Sequence, residues 1–133
     1  MIQELRKQLY NKGVQAPFLC IYKESYEIFY ERLYRDLIDL CSEFWVDTYS
    51  IHRLERDDAE SHKINAVKAF IQKANTRPSQ AFQVFVFEDF WRLTPQSQNA
   101  CLKFIEEPWE GNVIILTAVS QQSILDTILS RVQ

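Results

Sequence analysis

FQVFVFEDFWRLTPQSQNACLKFIEEP, running from Phe82 to Pro108, decides the architecture. Its apolar start predicts a buried strand over Phe82–Phe87. An acidic pair, Glu88 and Asp89, stands at the strand's end. A turn follows, then a helix over Pro95–Glu106 that Pro108 stops. Open α/β sheets bind ligands outside the carboxyl ends of their parallel strands. Two carboxylates there mark a candidate site.

Upstream, Ile64, Val67, Phe70, Ile71 and Ala74 recur at helical spacing and predict a helix over His62–Asn75. Pro78 closes it. Before it, His52–Ser61 is charged and reads as a loop. Phe44–Ile51, FWVDTYSI, is aromatic and β-branched and reads as a strand. Tyr26–Cys41 places Phe29, Leu33, Leu37, Leu40 and Cys41 on one helical face with Ile28, Tyr30, Tyr34 and Ile38 beside it. That helix is apolar enough to be covered on two sides, and Ser25 is its expected N-cap. Phe18–Tyr22, FLCIY, reads as a fully buried strand, and Met1–Lys12 as a short amphipathic helix capped by Gly13. Downstream, Pro108–Asn112 is a turn containing Gly111. Val113–Ala118, VIILTA, is another apolar strand, and Ser120–Leu129 a short helix with Ser120 as N-cap and Ile124, Leu125 and Ile128 inward.

Strands therefore alternate with helices, and the strands are mostly continuous apolar runs. This predicts a parallel sheet covered on both faces, a three-layer α/β/α sandwich. The 133 residues amount to one domain. No run of about 18 apolar residues is present to span a membrane, and the N-terminus lacks a signal-peptide core. A cytoplasmic protein is expected. Cys20, Cys41 and Cys101 form no CxxC pair, so no metal site is expected, and they read as small core residues. His52 and His62 have no partner at ligand spacing. The net charge of −3 argues against extensive contact with DNA phosphates.

Glycine is the most informative count, because the chain has only two. A P-loop cradles phosphate on the backbone amides of a glycine-rich turn, with a Lys reaching the terminal phosphates. The turn after the first strand reads Tyr22-Lys23-Glu24-Ser25-Tyr26. It has no glycine and is several residues too short, and Glu24 would oppose a triphosphate. Lys23 and Ser25 are the only remnant of such a motif, and a plain turn with an N-cap accounts for them. Glu88-Asp89 after VFVF has the arrangement of a Walker B segment, in which carboxylates hold Mg²⁺ and orient water. The plain reading is hydrogen bonding to helix N-termini or pairing with Arg92. In the following helix Ala100, Cys101, Phe104 and Ile105 form the inward face, with Lys103 toward solvent. Arg131, after Ser130, could act on another molecule as an arginine finger does, or lie solvated on the surface.

Together these segments resemble the AAA+ domain of bacterial clamp-loader subunits, the delta-prime and gamma/tau family of DNA polymerase III. In that family a Walker B strand is followed by (D/E)-D-A-x-x-L-T-x-x-A-Q-N-A-L-L-K-x-L-E-E-P. Here Glu88–Thr94 reads EDFWRLT and Gln98–Pro108 reads QNACLKFIEEP. Val113–Val119 resembles the family's sensor-1 strand, with Thr117 the surviving polar residue. Thr127–Gln133, TILSRVQ, resembles its T-I-x-S-R-C-Q end. More weakly, Gln15–Leu19 resembles the run into strand one, and Lys63–Val67 the opening of the helix before Walker B.

The departures are a missing P-loop, missing zinc cysteines and Val132 in place of the motif's Cys. They point to the non-ATPase branch, delta-prime, a rigid stator. The resemblance implies that Arg131, with Ser130, acts in trans on ATP held by a gamma-type neighbour. ATP and Mg²⁺ would then be bound only in a partner subunit, with Lys23, Ser25, Glu88 and Asp89 as degenerate remnants. It implies gamma/tau-type and delta subunits as partners and the sliding clamp indirectly. The expected domain is a single AAA+-like unit over 1–133, a fragment or a reduced homologue, without the family's fifth strand, lid and collar. The expected strand order is 1-4-3-2, with Phe18–Tyr22 an open edge that invites pairing with another chain. A divergent ATPase of the gamma/tau type using Lys23, Ser25, Glu88 and Asp89, and a generic α/β interaction module, are the alternatives.

Overall fold

Apolar runs separated by amphipathic helices arrange themselves as a sheet between two helical layers. The elements are α1 (Ile2–Asn11), β1 (Phe18–Ile21), α2 (Tyr26–Glu43), β2 (Ile51–Leu54), α3 (Ile64–Ala74), β3 (Gln83–Phe87), α4 (Pro95–Ala100), α5 (Leu102–Glu106), β4 (Asn112–Ala118) and α6 (Asp126–Leu129). The computed structural model describes residues 1–11, 13–14, 16–56 and 64–133. Among these, four strands form one parallel sheet in the order β1-β4-β3-β2. Fold class and strand order are those expected. The expected helix start at His62 and Lys63, and part of the His52–Ser61 loop, lie outside the described residues.

β3 and β4 are central, and every residue in both is buried. Alternate side chains enter opposite layers, as the period of two requires. Val84, Val86, Val113 and Ile115 pack with Leu33, Leu37 and Leu40 of α2. Phe85, Phe87, Ile114 and Leu116 pack with Val67 and Ile71 of α3 and Phe104 of α5. Phe87 makes edge contacts with Phe70 at 4.9 Å and Phe90 at 5.7 Å and stacks on Phe104 at 5.7 Å. Burying one such side chain stabilises by about 1.5–3 kcal/mol. Gly111 admits β4 at a tight corner. Its φ is +89°, and a Cβ there would lie 2.9 Å from Pro78 Cγ and 3.0 Å from the Ala81 carbonyl oxygen.

Several elements differ from expectation. Of the strand expected over Phe44–Ile51, only Ile51 lies in a strand. Instead α2 continues to Glu43, Phe44 caps it, Trp45 turns with φ +58°, and Thr48–Ser50 is a 3-10 turn. The aromatics serve packing and surface. Phe44 meets Tyr10 at 4.7 Å and Phe82 at 5.7 Å, whereas Trp45 and Tyr49 are exposed. The strand instead takes Ile51-His52-Arg53-Leu54, read above mostly as loop. Among the described residues it pairs only with β3, and an edge strand tolerates polar and charged residues. The second side of α2 is covered only in part, since Tyr30 is buried and Tyr34 half-buried whereas Ile28 and Ile38 are exposed. Helix Pro95–Glu106 is split at Cys101. Its inward residue in the first half is Gln98 rather than Ala100, which is exposed.

That glutamine explains a further difference. The helix expected over Ser120–Leu129 is confined to Asp126–Leu129. Gln98 Nε2 donates to the Ser123 carbonyl at 2.8 Å, and Gln98 Oε1 accepts from the Leu125 amide at 3.0 Å. These bonds hold the preceding turn in a non-helical course, with Ser123 at φ +67°.

β1 is less buried than expected, with Ile21 exposed. Its outer edge is also not open at its start. The Gln133 amide donates to the Pro17 carbonyl at 2.8 Å, and the Leu19 amide donates to the Gln133 carbonyl at 3.1 Å. These two bonds form one parallel rung beside the strand.

Candidate functional site

β3 delivers Glu88 and Asp89 to the carboxyl end of the sheet. The Glu88 amide continues the ladder to the Leu54 carbonyl at 3.1 Å. Asp89 then adopts a left-handed conformation (φ 52°, ψ 65°), which a short polar side chain tolerates better than most. Its amide donates to Thr117 Oγ1 on β4 at 2.9 Å. Thr117 Oγ1 lies 2.8 Å from the Tyr30 hydroxyl and 3.4 Å from the Phe87 carbonyl. One donor and two acceptor positions satisfy this hydroxyl: it accepts from Asp89 and Tyr30 and donates to Phe87.

Both acid side chains are almost fully buried, and each carboxylate oxygen faces a donor or a guanidinium nitrogen. Asp89 Oδ1 accepts from the Tyr22 hydroxyl at 2.7 Å. Asp89 Oδ2 lies 2.8 Å from Arg56 Nε. Glu88 Oε2 accepts from the Tyr34 hydroxyl at 2.6 Å and from Arg53 Nε at 2.8 Å, with Arg53 Nη2 at 2.6 Å. Glu88 Oε1 accepts from the Arg56 amide at 3.0 Å. The guanidinium groups also lie over aromatic faces, Arg53 on Tyr34 at 4.2 Å and Arg56 on Tyr26 at 4.1 Å. Two buried acids are thus matched by two arginines. Burial, followed by the bond to Asp89, raises the Tyr22 phenol to about 12. Burial likewise pushes Tyr30 and Tyr34 well above the ordinary tyrosine value. All three are protonated donors at neutral pH.

The structure therefore brings Glu88, Asp89 and Thr117 together. The acids pair with Arg53 and Arg56, not with Arg92, the expected partner. Arg92 lies nearest in sequence, but its Nη1 donates to the Arg56 carbonyl at 2.8 Å and so fastens that segment. From the turn after β1 it is Tyr22, not Lys23 or Ser25, that reaches the acids. Lys23 is exposed, and the Ser25 hydroxyl accepts from the Ile28 amide at 3.4 Å as the N-cap of α2. Tyr22, Tyr30, Tyr34, Arg53 and Arg56 were missed. The available signal was a tyrosine at every fourth position of α2, Tyr26, Tyr30 and Tyr34, which places them on one stripe.

Ser130 and Arg131 end the α6 segment. Arg131 Nε lies 2.7 Å from Glu106 Oε1, and both side chains are roughly 40% exposed (39% and 45%). Arg131 Nη1 donates to the Thr127 carbonyl at 2.7 Å and to Ser130 Oγ at 3.2 Å.

Other reactive residue types are buried or half-buried. Burial raises the Cys20 and Cys101 thiols to about 11 and about 12, far from the thiolate that reactivity needs. His52 stacks on Phe85 at 4.7 Å. Among the described residues, no three His, Cys, Asp or Glu side chains converge as metal ligands, and no helix is long and apolar enough to cross a membrane.

A parallel 1-4-3-2 sheet between helical layers, with acids after β3 and a threonine beside them on β4, defines a P-loop-NTPase-like AAA+ fold. The sequence model of the family described as DNA polymerase III, delta subunit matches residues 39–133, and the chain belongs to that family. It is 31% identical over 88 residues to the DNA polymerase III subunit gamma of Buchnera aphidicola subsp. Baizongia pistaciae, a match covering 65% of this chain and 22% of that protein. A DNA polymerase III gamma subunit-related protein from Thermotoga maritima shares the fold, with a TM-score of 0.75 at 21% identity, over 99% of this chain and 44% of that one. The chain thus spans less than half the length of either.

Proposed function

We propose that the chain is a non-catalytic, delta-prime-like subunit of the DNA polymerase III clamp loader, assisting sliding-clamp loading in DNA replication. The observation that carries this reading is the closed network around Glu88 and Asp89. A Walker B pair must offer carboxylate oxygens to Mg²⁺ and water. Here those oxygens already face Arg53, Arg56, Tyr22 and Tyr34, so a cation would have to displace a guanidinium. The glycine-free turn at Lys23–Ser25 likewise lacks the amides of a phosphate cradle. The residues present do not fit MgATP. Nucleotide would then be held only by gamma/tau-type neighbours, with delta as a further partner and the sliding clamp touched indirectly. Arg131, supported by Ser130, would act in trans on a neighbour's ATP.

Titration calorimetry with MgATP is the direct test. No binding is expected, and saturable binding at micromolar ATP would overturn the reading. In an assembly with a gamma-type subunit, Arg131→Ala should lower ATP turnover by roughly 10³-fold, the low end for an arginine finger. The likeness to a gamma subunit favours one second reading, a divergent ATPase using Lys23, Ser25, Glu88 and Asp89. It requires hydrolysis by the isolated chain that Asp89→Asn abolishes.

A further inference from the structure

We propose that Glu106 is a positioning residue for Arg131, its carboxylate holding the Nε side of the guanidinium so that Nη2 is left to meet an anionic oxygen on a neighbouring molecule. The inference rests on the reading of Arg131 as a residue that acts in trans.

A guanidinium carries five N–H donors in a rigid plane. Arg131 Nε lies 2.7 Å from Glu106 Oε1 at the end of α5, an ion pair that fixes that side of the plane. Nη1 is committed to the Thr127 carbonyl at 2.7 Å and to Ser130 Oγ at 3.2 Å. Ser130 Oγ sends its own proton to the same carbonyl, 3.1 Å away, which leaves its lone pairs to Nη1. Nη2 makes no hydrogen bond among the described residues. The group is therefore held from two elements, the α6 end behind it and α5 beside it. A long side chain that is already ordered loses less freedom when it meets its target. An ion pair this exposed does little for the fold itself, so orientation is the effect left for Glu106. The matching target is a phosphate oxygen, which a planar guanidinium recognises well.

The test reconstitutes the chain with a gamma-type ATPase subunit and measures kcat and KM for MgATP. Glu106→Ala should lower kcat by up to about 10²-fold, as a small misplacement of a catalytic contact does, with KM unchanged and the Tm of the isolated chain shifted by a few degrees at most. Glu106→Gln, which keeps the size and an oxygen beside Nε but not the charge, should keep part of the activity. If Arg131→Ala lowers kcat and Glu106→Ala does not, the positioning role is wrong and the trans reading stands. A rise in kcat for Glu106→Ala, or a fall as large for Glu106→Gln, also overturns positioning. If Arg131→Ala changes nothing, the trans reading is lost and this inference with it.

Discussion

Glu88 with Arg53 and Asp89 with Arg56 form one kind of arginine–carboxylate pair in this molecule, and Glu106 with Arg131 forms another. The distances barely separate them, at 2.6, 2.8 and 2.7 Å. Burial does. The two inner acid side chains are 2% and 1% exposed, against 45% for Glu106. A buried charge persists only where hydrogen bonds and opposite charge offset its lost hydration, and the inner acids have tyrosines, amides and arginines on every side. The outer pair competes with water and contributes little to stability. One chemistry thus clamps the sheet in one place and leaves a side chain accessible in the other. The element that organises the fold is not the one the proposed function needs.

The largest expected effect comes from opening the inner clamp. Asp89→Ala leaves the Arg56 guanidinium without its ion-pair partner and the Tyr22 hydroxyl without its acceptor. Breaking a buried pair from one side costs about 3–5 kcal/mol. Urea denaturation should show a loss of that order with the m-value unchanged. A loss below about 1 kcal/mol would mean that burial does not separate the two kinds of pair.

A smaller effect is expected from Tyr22→Phe, which removes one donor and keeps both charges. A hydrogen bond to a charged group is worth about 1.5–3 kcal/mol. The pH dependence sharpens the attribution. Tyr22 is raised from 10.0 to about 12 in the folded chain, by burial first and Asp89 second. The fold therefore favours the neutral phenol. Its contribution is fully present below pH 10 and is lost as pH rises through about 12. Tyr30 and Tyr34, also raised, add to that alkaline loss. The stability of Tyr22→Phe should fall less steeply between pH 10 and 12, by about one proton's worth of slope. An unchanged slope would remove Tyr22 from the network.

How much of this was legible in the sequence divides along the same line. The central strands were readable because every residue of VFVF and VIILT is buried, and continuous apolar runs admit few other placements. Strand order followed from the family resemblance. β2 was misplaced because it lies at an edge, where His52 and Arg53 satisfy the ladder without an apolar pattern. The helix after β4 was overextended because its true course depends on Gln98, about 25 residues earlier in the chain. In the site, Glu88, Asp89 and Thr117 were readable from their positions at strand ends. Their partners were not. Arg53 and Arg56 reach the acids because parallel pairing sets Leu54 beside Phe87, a relation that appears only once β2 is located. The tyrosine stripe on α2 was visible, but it has the spacing of any apolar helical face.

The smallest expected effect belongs to the outer pair. In the isolated chain, Glu106→Ala should change stability by about 0–1 kcal/mol, the range for exposed ion pairs. Salt separates the two kinds of pair further. At roughly 1 M ionic strength the screening length shrinks to about 3 Å, so any deficit of Glu106→Ala should vanish. The deficit of Asp89→Ala should largely persist, because the Asp89 carboxylate is 1% exposed and Tyr22 is buried with it. Unfolding curves for both variants at low and high salt would test this. If Glu106→Ala proved as costly and as salt-resistant as Asp89→Ala, Glu106 would be part of the folded scaffold, and Arg131 would be anchored too firmly to serve a neighbour.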